Sequence, residues 1–239
     1  MSNFDSNNVG VANGNIFGFP GNEKDADIVI IPVPWDATAS FGNGSSQGPK
    51  SILDISTQLD FFHPHLEKAY ETNVFMTPIS DQWSDINEQL SIKVAGYINY
   101  LENGGKLEDS HEYIELVNEV NHAQLALRSN LKETSLTLLQ NNQIPAVLGG
   151  DHSTPLGLIE AINEQRKTFG ILQIDAHADL RKAYESFEQS HASIMYNALE
   201  NCSNLSHLVQ LGVRDLCQNE IDIVKSNPKR ITTFFDWDL

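Results

Sequence analysis

The chain has 239 residues, 40% of them hydrophobic and 20% charged, and a formal net charge of −17. That composition excludes a mainly disordered or collagen-like chain, and the length suffices for one large core or two small ones. So acidic a surface argues against nucleic acid or anionic membranes as partners, because contacts to phosphate need cations. It serves solubility, and it is compatible with steering a cationic substrate. Cys202 and Cys217 are the only cysteines, which leaves no disulfide framework and no cysteine zinc site. No apolar run reaches the roughly 18 residues that a membrane span needs. The first 18 residues are rich in Asn and Gly and lack the basic start and apolar core of a signal peptide, so the cytoplasm is the expected location.

Residues 1–26 read as a loosely ordered arm ahead of a single α/β domain at 27–239. Residues 27–34 (Asp-Ile-Val-Ile-Ile-Pro-Val-Pro) form a short β-branched run closed by prolines, the pattern of a buried strand. Gly42, Gly44, Gly48 and Pro49 then mark a loop. A helix is expected from about Lys50, with Ile52, Leu53, Ile55 and Leu59 as its apolar positions. A short strand is expected at 73–79, and helices at 85–103 and 111–141, punctuated by Gly104-Gly105. In the second of these helices Ile114, Val117, Val120, Leu127, Leu131 and Leu138 recur at three- to four-residue steps. Short apolar runs at 144–149, 169–175 and 208–213 are each followed by a helix-compatible segment. Strands alternating with helices predict βαβ units on a parallel sheet, with ligands bound at the strand C-terminal edge. The aromatic residues and Met195 read mostly as core, Trp35 and Phe41 included, although those two flank the loop after the first strand.

Two of these strand ends hold the residues of chemical interest. The first run is Val-Leu-Gly-Gly-Asp-His-Ser at 147–153; the second is Leu-Gln-Ile-Asp-Ala-His-Ala-Asp at 172–179. In the second, Asp175, His177 and Asp179 alternate with small alanines, so an extended backbone points all three to one side. His152 follows the other strand, after a Gly149-Gly150 pair that permits close backbone approach. A lone Asp-x-His motif often makes only surface or capping hydrogen bonds. Three such groups after a buried strand would repel and be costly to desolvate, and a cation is the simplest remedy. Oxygen and imidazole donors without thiolate suit manganese, iron or zinc; the imidazoles point away from magnesium.

These two motifs resemble signatures of the ureohydrolases: arginase, agmatinase and formimidoylglutamase. Residues 32–36 with the Gly-Pro loop up to Pro49, the run Gln-Leu-Gly-Val-Arg at 210–214, and Ser-His-Ala-Ser at 190–193 extend the likeness from about residue 27 to the end. The resemblance implies a three-layer α/β/α sandwich with a central, mostly parallel sheet. It also implies two Mn²⁺ ions bridged by hydroxide. His152, Asp175 and Asp179 would hold one ion, and Asp175 and His177 the other, with Asp175 shared. The hydroxide, oriented by Asp179, would attack the guanidinium carbon, and His191 would relay a proton to the leaving amine. A homo-oligomer is expected from the same resemblance.

The family uses two further aspartates. Asp236 and Asp238 have the right spacing but follow Arg214 too soon, lack a following Asp-Pro and flank bulky Trp237. The expectation is therefore that they are not ligands and that the motif lies beyond Leu239. His191 and the acidic surface point to an agmatinase- or arginase-like activity releasing urea. Arg181 could instead grip a substrate carboxylate, as formiminoglutamate would need, or pair with Glu185. Asp215, beside Arg214, occupies the position that reads an amino group in arginase, while Cys217 stands where arginase has a second acid. A formimidoylglutamase-like hydrolase and a truncated, non-catalytic oligomer partner are the alternatives.

Overall fold

The computed structural model describes residues 4, 5, 7–40 and 42–239; Phe41 lies outside them. Six strands are joined, all in parallel, as two triplets: β1 (Ile28–Val33) between β2 (Val74–Met76) and β3 (Ile144–Gly149), and β5 (Leu205–Val213) between β4 (Phe169–Ile174) and β6 (Ile231–Phe235). The helices are α1 (Gly48–Ile55), α2 (Asp81–Glu102), α3 (His111–Gln140), α4 (Leu156–Gln165), α5 (Ile194–Asn201) and α6 (Gln218–Ser226). The architecture is the expected α/β type with parallel pairing, its ladders forming two groups of three strands. No helix among the described residues is long and apolar enough to cross a membrane.

Local chemistry sets most boundaries. Within β1, the carbonyl of Ile30 accepts from Thr77 beyond β2, whereas that of Val33 accepts from Gly150 beyond β3. Even-numbered residues of β1 thus address β2, which ends opposite Ile30. Pro32, with no N–H to give, therefore sits where no partner strand asks for one. Ser80 and Ser110 cap α2 and α3 by accepting from the N–H groups of Trp83 and Tyr113. Gly104 ends α2 at a φ of +85°.

The first core joins Val29, Ile31 and Val33 of β1 to Val94 and Tyr97 of α2 and to Val117, Val120, Leu127, Leu131 and Leu138 of α3. The periodicity read from α3 is thereby accounted for, Ile114 alone being exposed. A second core packs Ile194, Met195 and Ala198 of α5 on Leu205, Leu208 and Ile231 of β5 and β6. Helices α3 and α4 tie the halves together. A Cβ at Gly157 would meet the Arg128 carbonyl at 2.5 Å, and Arg128 forms a two-pronged pair with the buried carboxylate of Glu160.

One expectation needs correction. Part of the N-terminal arm is docked: Ile16 and Phe19 are buried, and the Asn15 side chain donates to the carbonyl of Val74 and accepts from the N–H of Met76. One side-chain amide thus satisfies the otherwise open edge of β2. Helix α1 forms where expected but ends at Ile55, before Leu59; Leu53 is half-buried, whereas Ile52, Ile55 and Leu59 are exposed.

Candidate metal centre

His152, Asp175 and Asp179 converge. The His152 Nδ1 lies 2.6 Å from Asp179 Oδ2 and 3.0 Å from Asp175 Oδ2. Each of the three offers a donor atom within 4.8 Å of the others, the one such group among the described residues. Burial works against the His152 cation, but the two carboxylates outweigh it and push the imidazole up to about 9. Burial likewise opposes the Asp175 carboxylate, yet hydrogen bonds from His152 and the His177 N–H pull it down to about 2. The cluster thus holds a proton where two anions meet, as a divalent cation would be held.

The backbone reaches this arrangement by leaving the strand. The extended alternation expected through 179 stops at Ile174, and Asp179 adopts a φ of +52°. The N–H groups of Arg214 and Asp215 both donate to the Ala176 carbonyl, and the N–H groups of Met195 and Tyr196 approach the Asp179 carbonyl. Pinned so, Asp175 and Asp179 face His152, while His177 turns outward. His177 Nδ1 sits 3.5 Å from Asp175 Oδ1, and its Nε2 lies 3.8 Å from the exposed carboxylate of Asp215. The two oxygens of Asp175 therefore face different imidazoles.

Beneath the turn runs a buried amide chain that sequence reading overlooked. Thr233 donates to Gln210, Gln210 donates to Gln173 and to the Ala178 carbonyl, and Gln173 reaches the His177 carbonyl and Asp179 Oδ2. The only advance signal is a pair of amides in otherwise apolar strands. On the β3 side, Gly150 is required by close approach: a Cβ there would stand 1.9 Å from the Trp35 carbonyl oxygen. Asp151 accepts from Thr38 and from the N–H and hydroxyl of Ser153, and desolvation pushes its carboxyl up. Trp35 is core, edge-on to Trp83.

A cavity of about 190 Å³ opens beside the cluster, lined by Asp179, His177, His191, Ser40, Arg181 and Asp215 among others. His191 lies 3.5 Å through Nε2 from the Ser40 hydroxyl and edge-on to the Tyr184 ring. Arg181 pairs with buried Glu220, not with Glu185: its Nε is 3.8 Å from Glu220 Oε2 and its guanidinium stacks 4.6 Å from the Tyr184 ring centre. Glu220 also accepts from the N–H groups of Leu180 and Cys217, joining the site loop to the start of α6. Asp236 and Asp238 are not part of the His152 cluster; Asp236 lies 3.9 Å from Arg214.

The sequence profile of the Arginase family matches residues 26–238. The chain belongs to the arginase family. An N(1)-aminopropylagmatine ureohydrolase of a Synechocystis species is 27% identical over 214 residues, covering 88% of this chain and 58% of that protein. The crystal structure of agmatine ureohydrolase of Thermoplasma volcanium superposes with a TM-score of 0.63 at 18% identity, covering 91% of this chain and 60% of that one. A Trypanosoma cruzi formiminoglutamase crystallised with Mn²⁺ gives 0.62 at 16%, covering 92% and 63%. At those identities the superpositions show the shared fold. The chain thus spans a little over half the length of these arginase-family relatives.

Proposed function

We propose that the protein is a manganese-dependent hydrolase of guanidino C–N bonds, of agmatinase type, releasing urea. The observation that supports this best is the convergence of His152, Asp175 and Asp179 from the segments that follow β3 and β4. Two carboxylates and an imidazole, already arranged around one positive charge, fit a divalent cation of manganese character. His152, Asp175 and Asp179 would hold one ion; Asp175 and His177 would hold another. When bound, the ions supply the Lewis acidity that makes a hydroxide nucleophile available at neutral pH. Asp179, to which Gln173 donates at 3.4 Å, would orient that nucleophile toward the cavity. His191 returns a proton to the leaving amine. Asp215, at the exposed rim, meets an ammonium on the substrate tail. Arg181 forms a wall whose charge is already met by Glu220 and Tyr184, which favours an amine-bearing guanidine over a dicarboxylate.

The test is calorimetric titration of Mn²⁺ into the metal-stripped chain. Urea release is assayed in the same samples with agmatine, N(1)-aminopropylagmatine, arginine and formiminoglutamate. Metal-dependent urea from the two amines, lost in His152→Ala, is the expected result. Binding without urea from any guanidine would overturn the substrate assignment; absence of binding would overturn the metal centre.

A further inference from the structure

His191 is gripped asymmetrically. Its Nδ1 is shut away from solvent and has no hydrogen-bond partner among the described residues. Its Nε2 lies 3.5 Å from the Ser40 hydroxyl, and both residues line the cavity beside Asp179. A buried N–H without an acceptor is a rarer and costlier state than a bare lone pair. The neutral ring is therefore better served with its proton on Nε2, where an oxygen waits to accept it.

Ser40 is not a free surface hydroxyl. It sits on the loop after β1, which is fastened at both ends. Buried Asp36 accepts from the N–H groups of Gly44 and Ser46 and from the Asn87 side chain, and Asn87 in turn accepts from the Asp36 N–H. Thr38 donates to Asp151, whose own N–H donates to the Trp35 carbonyl. The loop is thus tied to α2 on one side and to the His152 segment on the other. Its fastening places Ser40 opposite a histidine 151 positions away in sequence.

We propose that Ser40 is a positioning residue that fixes His191 in the Nε2–H tautomer, with the transferable proton presented to the cavity. Because Nδ1 is sealed, every proton His191 exchanges with a ligand passes through Nε2. This rests on the reading of His191 as the proton relay, but the tautomer itself is measurable without metal or substrate.

The experiment is long-range ¹⁵N–¹H correlation of the histidine rings in the ¹⁵N-labelled, metal-free chain above the titration of its neutral rings. His191→Gln assigns the signal among the eight histidines. The expected result is a predominantly Nε2–H ring for His191. Ser40→Ala should lower the Nε2–H to Nδ1–H ratio at least about threefold, the scale of one neutral hydrogen bond, and Ser40→Thr should restore it. A wild-type ring protonated on Nδ1, or a ratio unmoved in Ser40→Ala, would overturn the proposal; the wild-type spectrum decides even if a variant folds poorly. Urea release undiminished in His191→Gln would instead remove the relay reading and leave the tautomer assignment standing.

Discussion

In the metal-free protein a proton on His152, held up to about 9 by Asp175 and Asp179, occupies the place proposed for a divalent ion. A metal must displace it, so proton and metal compete. At pH 7 the competition weakens apparent affinity by ~100-fold, and at pH 9 by only ~2-fold. Mn²⁺ affinity should therefore rise about tenfold per pH unit between pH 6.5 and 8.5. Binding at pH 7 should release close to one proton. Calorimetry in buffers of different ionisation enthalpy reads that proton directly. The same shift governs the stability of the metal-free fold. Raised from 6.5 to about 9, the His152 proton stabilises fully below pH 6.5, and that contribution is lost as pH rises through 9. Asp175, lowered from 3.8 to about 2, stabilises above pH 3.8 and ceases to do so as pH falls through 2. The two shifts share one interaction and the His152 side chain is 35% exposed, so the alkaline loss is about 1–2 kcal/mol. Mn²⁺ should abolish it. An affinity flat from pH 6.5 to 8.5, or no proton released at pH 7, would refute the claim that His152 is displaced by the metal.

Three further outcomes are expected. Gly150→Ala forces a methyl to 1.9 Å from the Trp35 carbonyl; it should cost more than about 2 kcal/mol in urea unfolding and weaken Mn²⁺ binding by displacing His152. Gln210→Leu strands the Thr233 hydroxyl, Gln173 and the Ala178 carbonyl; a loss of about 10- to 100-fold in metal affinity is expected by calorimetry, as for other outer-shell partners. Glu185 and Ser186 both hold positive φ, 52° and 68°, in the turn between Tyr184 and Phe187. Ser186→Gly should relieve this and stabilise by up to about 1 kcal/mol, seen as a higher thermal midpoint; an unchanged or lower midpoint would contradict the strain.

Much of the scaffold is legible in the sequence because its causes are local. The apolar runs that became β1, β3, β4 and β5 and the apolar period of α3 are each decided within a few residues. The two motifs proposed to hold metal are legible for a similar reason, their donors being set by strand ends. Other features needed the folded chain. Asn15 closing β2, Glu220 rather than Glu185 meeting Arg181, and Ser40 facing His191 are pairings between distant segments. The alternation of Asp175, His177 and Asp179 predicted one face. Hydrogen bonds from β5 and α5 instead turn the backbone, so that Asp175 and Asp179 meet His152 while His177 faces Asp215. Helix α1 shows the converse: its pattern forms a helix, yet Ile52 and Ile55 are left exposed by the described residues. The sequence by itself determined the order of strands and helices and the kinds of donor atom at their ends, since both depend on near-neighbour chemistry. Only the tertiary structure decided which donors meet, because that depends on where distant hydrogen-bond partners turn the chain.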